Sequence, residues 1–207
     1  MGTRILKTFK FISALSIFVS LFFITGCGNP KFRYPLNKPN HEMCQGIVFD
    51  FINPTDYVGL GRIFRETLAV NLMKEGYIIK DSSIAYSFFT PEDKILYYYM
   101  PDAVFSKELV KRIGGLLNLE WIVGGKILKA VDKGDFVELE TIVWVRDAKT
   151  GKLLWYSYYK RNSNSYRTIF QFGKTKDIYM LANMMINKEI LEDLRGILKC
   201  SLVESSE

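Results

Sequence analysis

The stretch Gln45-Gly46-Ile47-Val48-Phe49-Asp50-Phe51-Ile52 decides how the rest of the chain is read. Ile47, Val48, Phe49, Phe51 and Ile52 make an almost continuous apolar run, which suits a strand buried on both faces. Asn53-Pro54-Thr55-Asp56 ends it with turn chemistry. Leu60, Phe64, Leu68 and Leu72 then recur at i, i+4, predicting a helix over about 60–75. Ala69, Val70 and Met73 widen its apolar surface, Gly76 stops it, and Tyr77-Ile78-Ile79 begins a second strand.

Downstream, Ile84 to Phe89 and Ile95 to Met100 read as an added hairpin around Thr90-Pro91-Glu92-Asp93. That reading sets Tyr97, Tyr98 and Tyr99 in an exposed excursion. A second helix follows over Ala103 to Leu117, its end weakened by Gly114-Gly115. Three strands, 120–131, 136–146 and 152–160, are joined by the hairpin signals Asp132-Lys133-Gly134-Asp135 and Asp147-Ala148-Lys149-Thr150-Gly151. In the middle strand Val137, Leu139, Thr141, Val143 and Val145 share one face. Glu138, Glu140, Ile142 and Trp144 share the other, as expected of an antiparallel sheet with helices on one side. After a polar crossing come Phe170-Gln171-Phe172-Gly173 and a closing helix over Lys176 to Leu198. The predicted order is β-α-β-α-β-β-β-α. This is an α/β (α+β) fold, a single compact domain with a mixed sheet of about five strands and about three packed helices.

Upstream, residues 1–26 carry Arg4, Lys7 and Lys10, no acid, and an apolar core from Phe11 to Ile24. This is the layout of an export signal, and the core is shorter than the ~20 residues of a bilayer-spanning helix. Cys27 follows directly, so Ile24-Thr25-Gly26-Cys27 resembles the lipobox of bacterial lipoproteins. The resemblance implies cleavage between Gly26 and Cys27 and acylation of Cys27, each buried CH₂ of the acyl chains contributing about 0.8 kcal/mol. A plain signal peptide or an anchor helix with an incidental cysteine is the other reading. Gly28 rather than Asp after the cysteine implies, by enterobacterial-type sorting, the periplasmic face of the outer membrane. Residues 27–44 then form a tether whose prolines, Pro30, Pro35 and Pro39, disfavour helix and central strand. The folded domain spans 45–200, and 201–207 is a polar tail.

The chain holds 28 Lys and Arg against 22 Asp and Glu, with three of the basic residues in the leader. The 181 residues beyond it carry a net charge of only +3, which implies a solvated surface and no nucleic-acid partner. Cys44 and Cys200 can form one disulfide in an oxidising periplasm, worth about 4 kcal/mol in the chain-entropy account. Two unpaired thiols are the alternative. His41 is the sole histidine and no Cys-x-x-Cys occurs, so no metal site and no cofactor beyond the lipid on Cys27 is expected.

Several residues invite sharper readings. Gly59-Leu60-Gly61 opens a helix but lacks a following Gly-Lys-Ser/Thr, so it reads as a turn for close packing rather than a phosphate cradle. Asp50 with Glu66, or Glu138 with Glu140, are candidate carboxylate pairs, although nothing in the sequence makes either converge, and no catalytic residue is expected. Trp121, Trp144, Trp155, Tyr156, Tyr158 and Tyr159 make an aromatic-rich sheet, suited to core or interface packing and, as the lesser reading, to sugar rings. Tyr97, Tyr98 and Tyr99 suit a membrane-interface or subunit contact, or an ordinary edge strand.

Four pieces together carry a family resemblance over about residues 45–198. They are Ile47-Val48-Phe49-Asp50-Phe51 with Asn53-Pro54-Thr55 and Gly59-Leu60-Gly61-Arg62; Leu119-Glu120-Trp121-Ile122-Val123-Gly124-Gly125; Asp147 to Trp155 with its Thr150-Gly151; and Phe170-Gln171-Phe172-Gly173-Lys174. In this order, behind a lipobox, they resemble periplasmic lipoprotein domains of the CsgG, LpoB, TolB N-terminal and PelC groups, PelC most in size and motifs. Glu120 stands where the group usually has Asp. The resemblance implies a non-enzymatic lipoprotein that oligomerises within an envelope export, secretion or assembly machine, polysaccharide export in the PelC case, with a polysaccharide as a possible ligand. The LpoB branch implies instead a protein activator of a peptidoglycan synthase.

Overall fold

The computed structural model describes residues 32–35, 45–99, 105–166 and 175–198. Cys27, Cys44, Cys200, the stretch 170–173 and the tail lie outside the described residues. The centre of the fold rests on four residues: β2, Gln45–Val48, pairs in parallel with β3, Ile78–Lys80, on one side and with β4, Trp121–Asp132, on the other. The backbone continues beside β4 past the end of β2, where Phe49 N–H donates to Val123 O at 2.9 Å and Ile52 N–H to Gly125 O at 3.0 Å. β4 turns back into β5, Val137–Asp147, which turns into β6, Leu153–Asn162, all antiparallel. The sheet is completed by β1, Phe32–Pro35, antiparallel on β6, and its spatial order is β1-β6-β5-β4-β2-β3. Five strands match the expected set. The sixth comes from the stretch read as a tether, and it occupies an edge, where a proline at the strand end costs no ladder bond in a central position.

Alternate residues of β2 enter two separate cores. Val48 and, beyond it, Phe51 face helix α1, Leu60–Lys74, whose Leu60, Phe64, Leu68 and Leu72 are fully buried. The closing helix packs on this same face as α5, Ile178–Met185, a π turn, Ile186–Ile190, and α6, Leu191–Ile197. Its apolar row Ile178, Ala182, Ile186, Ile190, Leu194 and Leu198 is buried throughout. A strict four-residue repeat drifts by about 40° per step around an α-helix, and one wider turn brings the row back toward the sheet.

Ile47 and Phe49 point the other way, against α2, Ser82–Tyr86, and α4, Lys107–Leu117. Helices therefore cover both faces, correcting the expectation of one-sided cover. β5 alone suggested one-sidedness because α2 and α4 lie over β2 and the start of β4, leaving its Glu138 and Glu140 beyond their reach.

The excursion is also corrected: 82–86 and 91–99 are helical, the second being α3, Pro91–Tyr99. Thr90-Pro91-Glu92-Asp93 is a helix start, not a hairpin turn. Thr90 N–H donates to Asp93 Oδ2 at 2.9 Å and Asp93 N–H donates to Thr90 Oγ1 at 3.1 Å, a reciprocal cap with proline in the first turn. Tyr97, Tyr98 and Tyr99 fall in the last turn of α3 rather than on a strand. The second predicted helix begins later than expected, at Lys107, where Ser106 Oγ accepts from Leu109 N–H at 3.1 Å.

The two glycines of α4 have opposite roles. A Cβ on Gly114 would lie 2.2 Å from the Ala148 carbonyl oxygen, whereas one on Gly115 would meet nothing within 4 Å. Gly114→Ala should therefore lower the unfolding free energy by about 1–3 kcal/mol through overpacking. Gly115→Ala should raise it by about 0.5–1 kcal/mol by removing helix-interior glycine. Urea titration of the two variants, without residues 1–26, checks the opposite signs.

Asp93 also pairs with Arg112, clasping α3 to α4. Burial pulls its carboxyl up, but hydrogen bonds from Thr90 and Arg112 and the guanidinium charge outweigh burial and hold it below the usual carboxylate value. A depressed folded pKa gives stability present at neutral pH and lost as pH falls through the folded value. Asp93→Asn should reduce amide protection within α3 at neutral pH while changing global stability by no more than about 1–2 kcal/mol. The protection difference from the parent should close on acidification, as read by amide-resolved NMR.

Candidate functional site

β2 delivers Asp50 to its C-terminal end, the place where open α/β sheets commonly form a crevice. A cleft of about 440 Å³ lies there, lined by Asp50, Ile52, Asn53, Tyr86, Phe89 and Lys94. Its chemistry is restrained by neighbouring groups. Arg65 Nη1 lies 3.3 Å from Asp50 Oδ1, and the Tyr86 hydroxyl donates to Asp50 Oδ2 at 3.4 Å. Arg65 Nη2 also pairs with Glu66 at 3.0 Å. The guanidinium thus bridges the first candidate carboxylate pair. Asn53 is committed to its turn: Oδ1 accepts from Thr55 N–H at 3.1 Å and Nδ2 donates to Tyr57 O at 2.7 Å.

The second pair, Glu138 and Glu140, stands on the sheet face beside lysines. Lys160 Nζ lies 2.7 Å from Glu140 Oε1 and 3.9 Å from Glu138 Oε2, and Lys129 also pairs with Glu138. Tyr158 donates its hydroxyl to Glu140 at 2.8 Å. Burial raises the Glu140 carboxyl, yet the bonds from Lys160 and Tyr158 outweigh it and leave the group below its ordinary value. Burial, with Glu140 accepting its proton, pushes the Tyr158 hydroxyl up to about 12. This is the salt-bridged face that alternating acids on a strand suggest.

The glycine-opened helix likewise takes its packing reading. A Cβ on Gly61 would lie 2.0 Å from the Phe51 carbonyl oxygen, and Gly61 O accepts from Phe51 N–H at 3.2 Å. Trp121, Trp155 and Tyr159 are core residues. Trp144 is half-buried, with its ring 4.6 Å from that of Phe105 and Arg146 above its face. The side chains of Tyr97, Tyr98 and Tyr99 lie outside the described residues.

Sequence reasoning missed a buried charged cluster under the closing helix. Arg161 Nε donates to Glu189 Oε1 at 2.6 Å, Tyr166 donates its hydroxyl to the same oxygen at 2.6 Å, and Tyr159 donates to Asp193 Oδ2 at 2.6 Å. Burial alone would lower the Arg161 pKa, but Glu189 more than offsets it; burial and Glu189 both raise Tyr166. The available signal was Arg161 on the inward parity of Trp155 and Tyr159, which calls for a buried carboxylate. The cluster ties β6 to the π turn.

A second depression, about 310 Å³, runs between α1 and β3, lined by Arg65, Val70, Met73, Ile79 and Lys80. Beside it β3 closes the sheet with Ile78 54% exposed, and Met73 on α1 is 49% exposed. Apolar side chains therefore flank an edge strand with a row of outward backbone groups. Among the described residues no helix is long and apolar enough to cross a membrane, and no His/Cys/Asp/Glu cluster could hold a metal ion.

No family model matches the chain, and no curated protein matches it in sequence. Solved structures do. The PelC dodecamer from Paraburkholderia phytofirmans superimposes with a TM-score of 0.50 at 12% identity, covering 83% of this chain and 100% of that one. A lipoprotein from Neisseria meningitidis gives 0.47 at 11% identity over 74% of this chain and 99% of its own. The C-terminal domain of LpoB from Escherichia coli gives 0.41 at 11% identity over 61% and 89%. Mixed sheet, helices on both faces and the PelC superposition together show that the described domain has the fold of PelC-like lipoprotein domains.

Proposed function

We propose that this protein is a non-catalytic lipoprotein, anchored through Cys27 to the periplasmic face of the outer membrane, that assembles with further copies of itself in an envelope export machine of the polysaccharide-export kind. The observation that carries this reading is the pair of unlike sheet edges, β1 and β3, with exposed Val70 and Met73 on the α1 side of β3 and exposed Ile78 on its opposite face. Contact between two unlike surfaces is heterologous, and heterologous contacts close into rings or run on as filaments. The structural neighbour being a dodecamer supports the closed form. The bridged carboxylates Asp50/Glu66 and Glu138/Glu140 favour binding over catalysis.

Two measurements test the proposal. Native mass spectrometry of the detergent-extracted protein should find a discrete multimer, and Met73→Glu with Ile78→Glu should weaken it by about 2 kcal/mol or more, some thirtyfold in Kd. A parent that stays monomeric at high concentration overturns the assembly. Separately, Cys27→Ser should move the protein out of the membrane fraction; unchanged retention refutes the lipid anchor.

A further inference from the structure

We infer that the domain stands with its strands along the membrane normal and places the end formed by the β4–β5 hairpin tip, Val58 and the start of α5 against a zwitterionic phospholipid surface. The inference rests on the lipid anchor at Cys27 and adds the direction of the domain above it.

The direction comes from β1. Phe32 lies opposite Tyr158 and Pro35 opposite Trp155, antiparallel to β6, so the chain reaches β1 from the Asn162 end of that strand. Cys27 precedes Phe32 by five residues, a span of at most about 18 Å when extended. From Tyr158 to Asn162 the sheet extends about 13 Å. An acylated Cys27 at the end of so short a segment holds the bilayer near that end of the sheet.

The same end gathers several segments. Asp132 N–H donates to the Tyr57 hydroxyl at 2.8 Å, and the Tyr179 hydroxyl donates to Val58 O at 3.2 Å. Ser163 N–H donates to Val137 O at 2.8 Å, and Thr175 N–H to Ser163 O at 3.0 Å. What this end presents is unusual for a set of loops. Val58 is 89% exposed, although the turn beneath it is fixed by Asn53 Nδ2 donating to Tyr57 O and by the left-handed Gly59, φ 84°. Phe136, at the hairpin tip, is 43% exposed. A held turn that projects a branched apolar side chain into water gains nothing from folding alone, whereas insertion among headgroups removes that surface from water. The exposed charges are mixed, Lys133 and Lys176 against Asp56, Asp135 and Asp177, which fits zwitterionic rather than anionic lipid. The β5–β6 turn, with exposed Lys149, lies at the other end of β5, whose 11 residues span about 36 Å.

The test uses the full lipidated chain carrying Cys44→Ser and Cys200→Ser, labelled with an environment-sensitive fluorophore at Val58→Cys or at Lys149→Cys, in phosphatidylcholine–phosphatidylethanolamine vesicles. Lipid-borne nitroxides should quench the probe at 58 several-fold more than the probe at 149, and adding phosphatidylglycerol should leave the ratio unchanged. Equal quenching, or stronger quenching at 149, overturns the orientation while co-flotation with the vesicles keeps the anchor. Failure of the parent to co-float sinks both. Quenching at 58 that appears only with phosphatidylglycerol overturns the zwitterionic assignment.

Discussion

Gly46 lies beneath the Trp121 indole so closely that a Cβ there would stand 2.1 Å from the ring, and the two residues are direct partners in the β2–β4 ladder. That contact fixes the register of the parallel pair, and the register fixes nearly everything else. With Gly46 opposite Trp121, Val48 falls opposite Val123 and enters the α1 core, while Ile47 and Phe49 enter the core under α2 and α4. A slip by one residue would exchange the two sets and put a side chain into the indole. The central strand can be only four residues long because it is bonded on both edges and covered on both faces.

This explains which parts of the fold were legible. A strand buried on both faces writes itself as an apolar run, as 45–52 does, and Gln45–Val48 of that run forms β2. The rows Leu60-Phe64-Leu68-Leu72 and Ile178 to Leu198 were legible because each repeats the same spacing against one partner surface. The segment 82–99 was not, since its helices are short, cover little and leave Ile84 and Ile95 about half exposed, so apolar spacing carries no period. There the information sits in caps, in Asp81 accepting from Ser83 N–H and in Thr90 with Asp93, and a cap and a turn use the same residue types. β1 was hidden for a related reason: an edge strand with a proline has almost the composition of a linker.

The candidate site was legible in its parts and not in its partners. Asp50, Glu66, Glu138 and Glu140 were all visible as acids. Which cation meets each is a tertiary fact, and Arg65, Lys129 and Lys160 decide their chemistry. The converse case is Glu189. A carboxylate in a closing helix looks like a surface residue until the π turn carries it to Arg161 on the inward side of β6. Buried ion pairs of this kind add modest net stability but strongly penalise any arrangement that leaves one partner unpaired, so the cluster specifies how the closing helix docks.

The edges and the anchor constrain each other. β1 is at once the outer strand of the sheet and the part of the described domain nearest in sequence to Cys27, so the proposed attachment enters the sheet through an edge strand rather than a central one. In the inferred orientation, with the strands along the membrane normal, β1 and β3 both face sideways, within the plane of the bilayer. In the proposed assembly, association through unlike edges places every copy the same way up, with the proposed acyl chains on the same side, and no copy must lift its anchor to meet the next. Confinement to that plane raises the effective concentration of one edge around another, so a contact as small as the flank of β3 can suffice where free subunits in solution would need a larger one. A C₂ pairing of like edges would satisfy the same apolar residues but would turn one copy over unless its axis coincided with the membrane normal. The geometry of a single edge strand, through its direction alone, thus narrows the assemblies that a lipid-anchored domain of this fold can form.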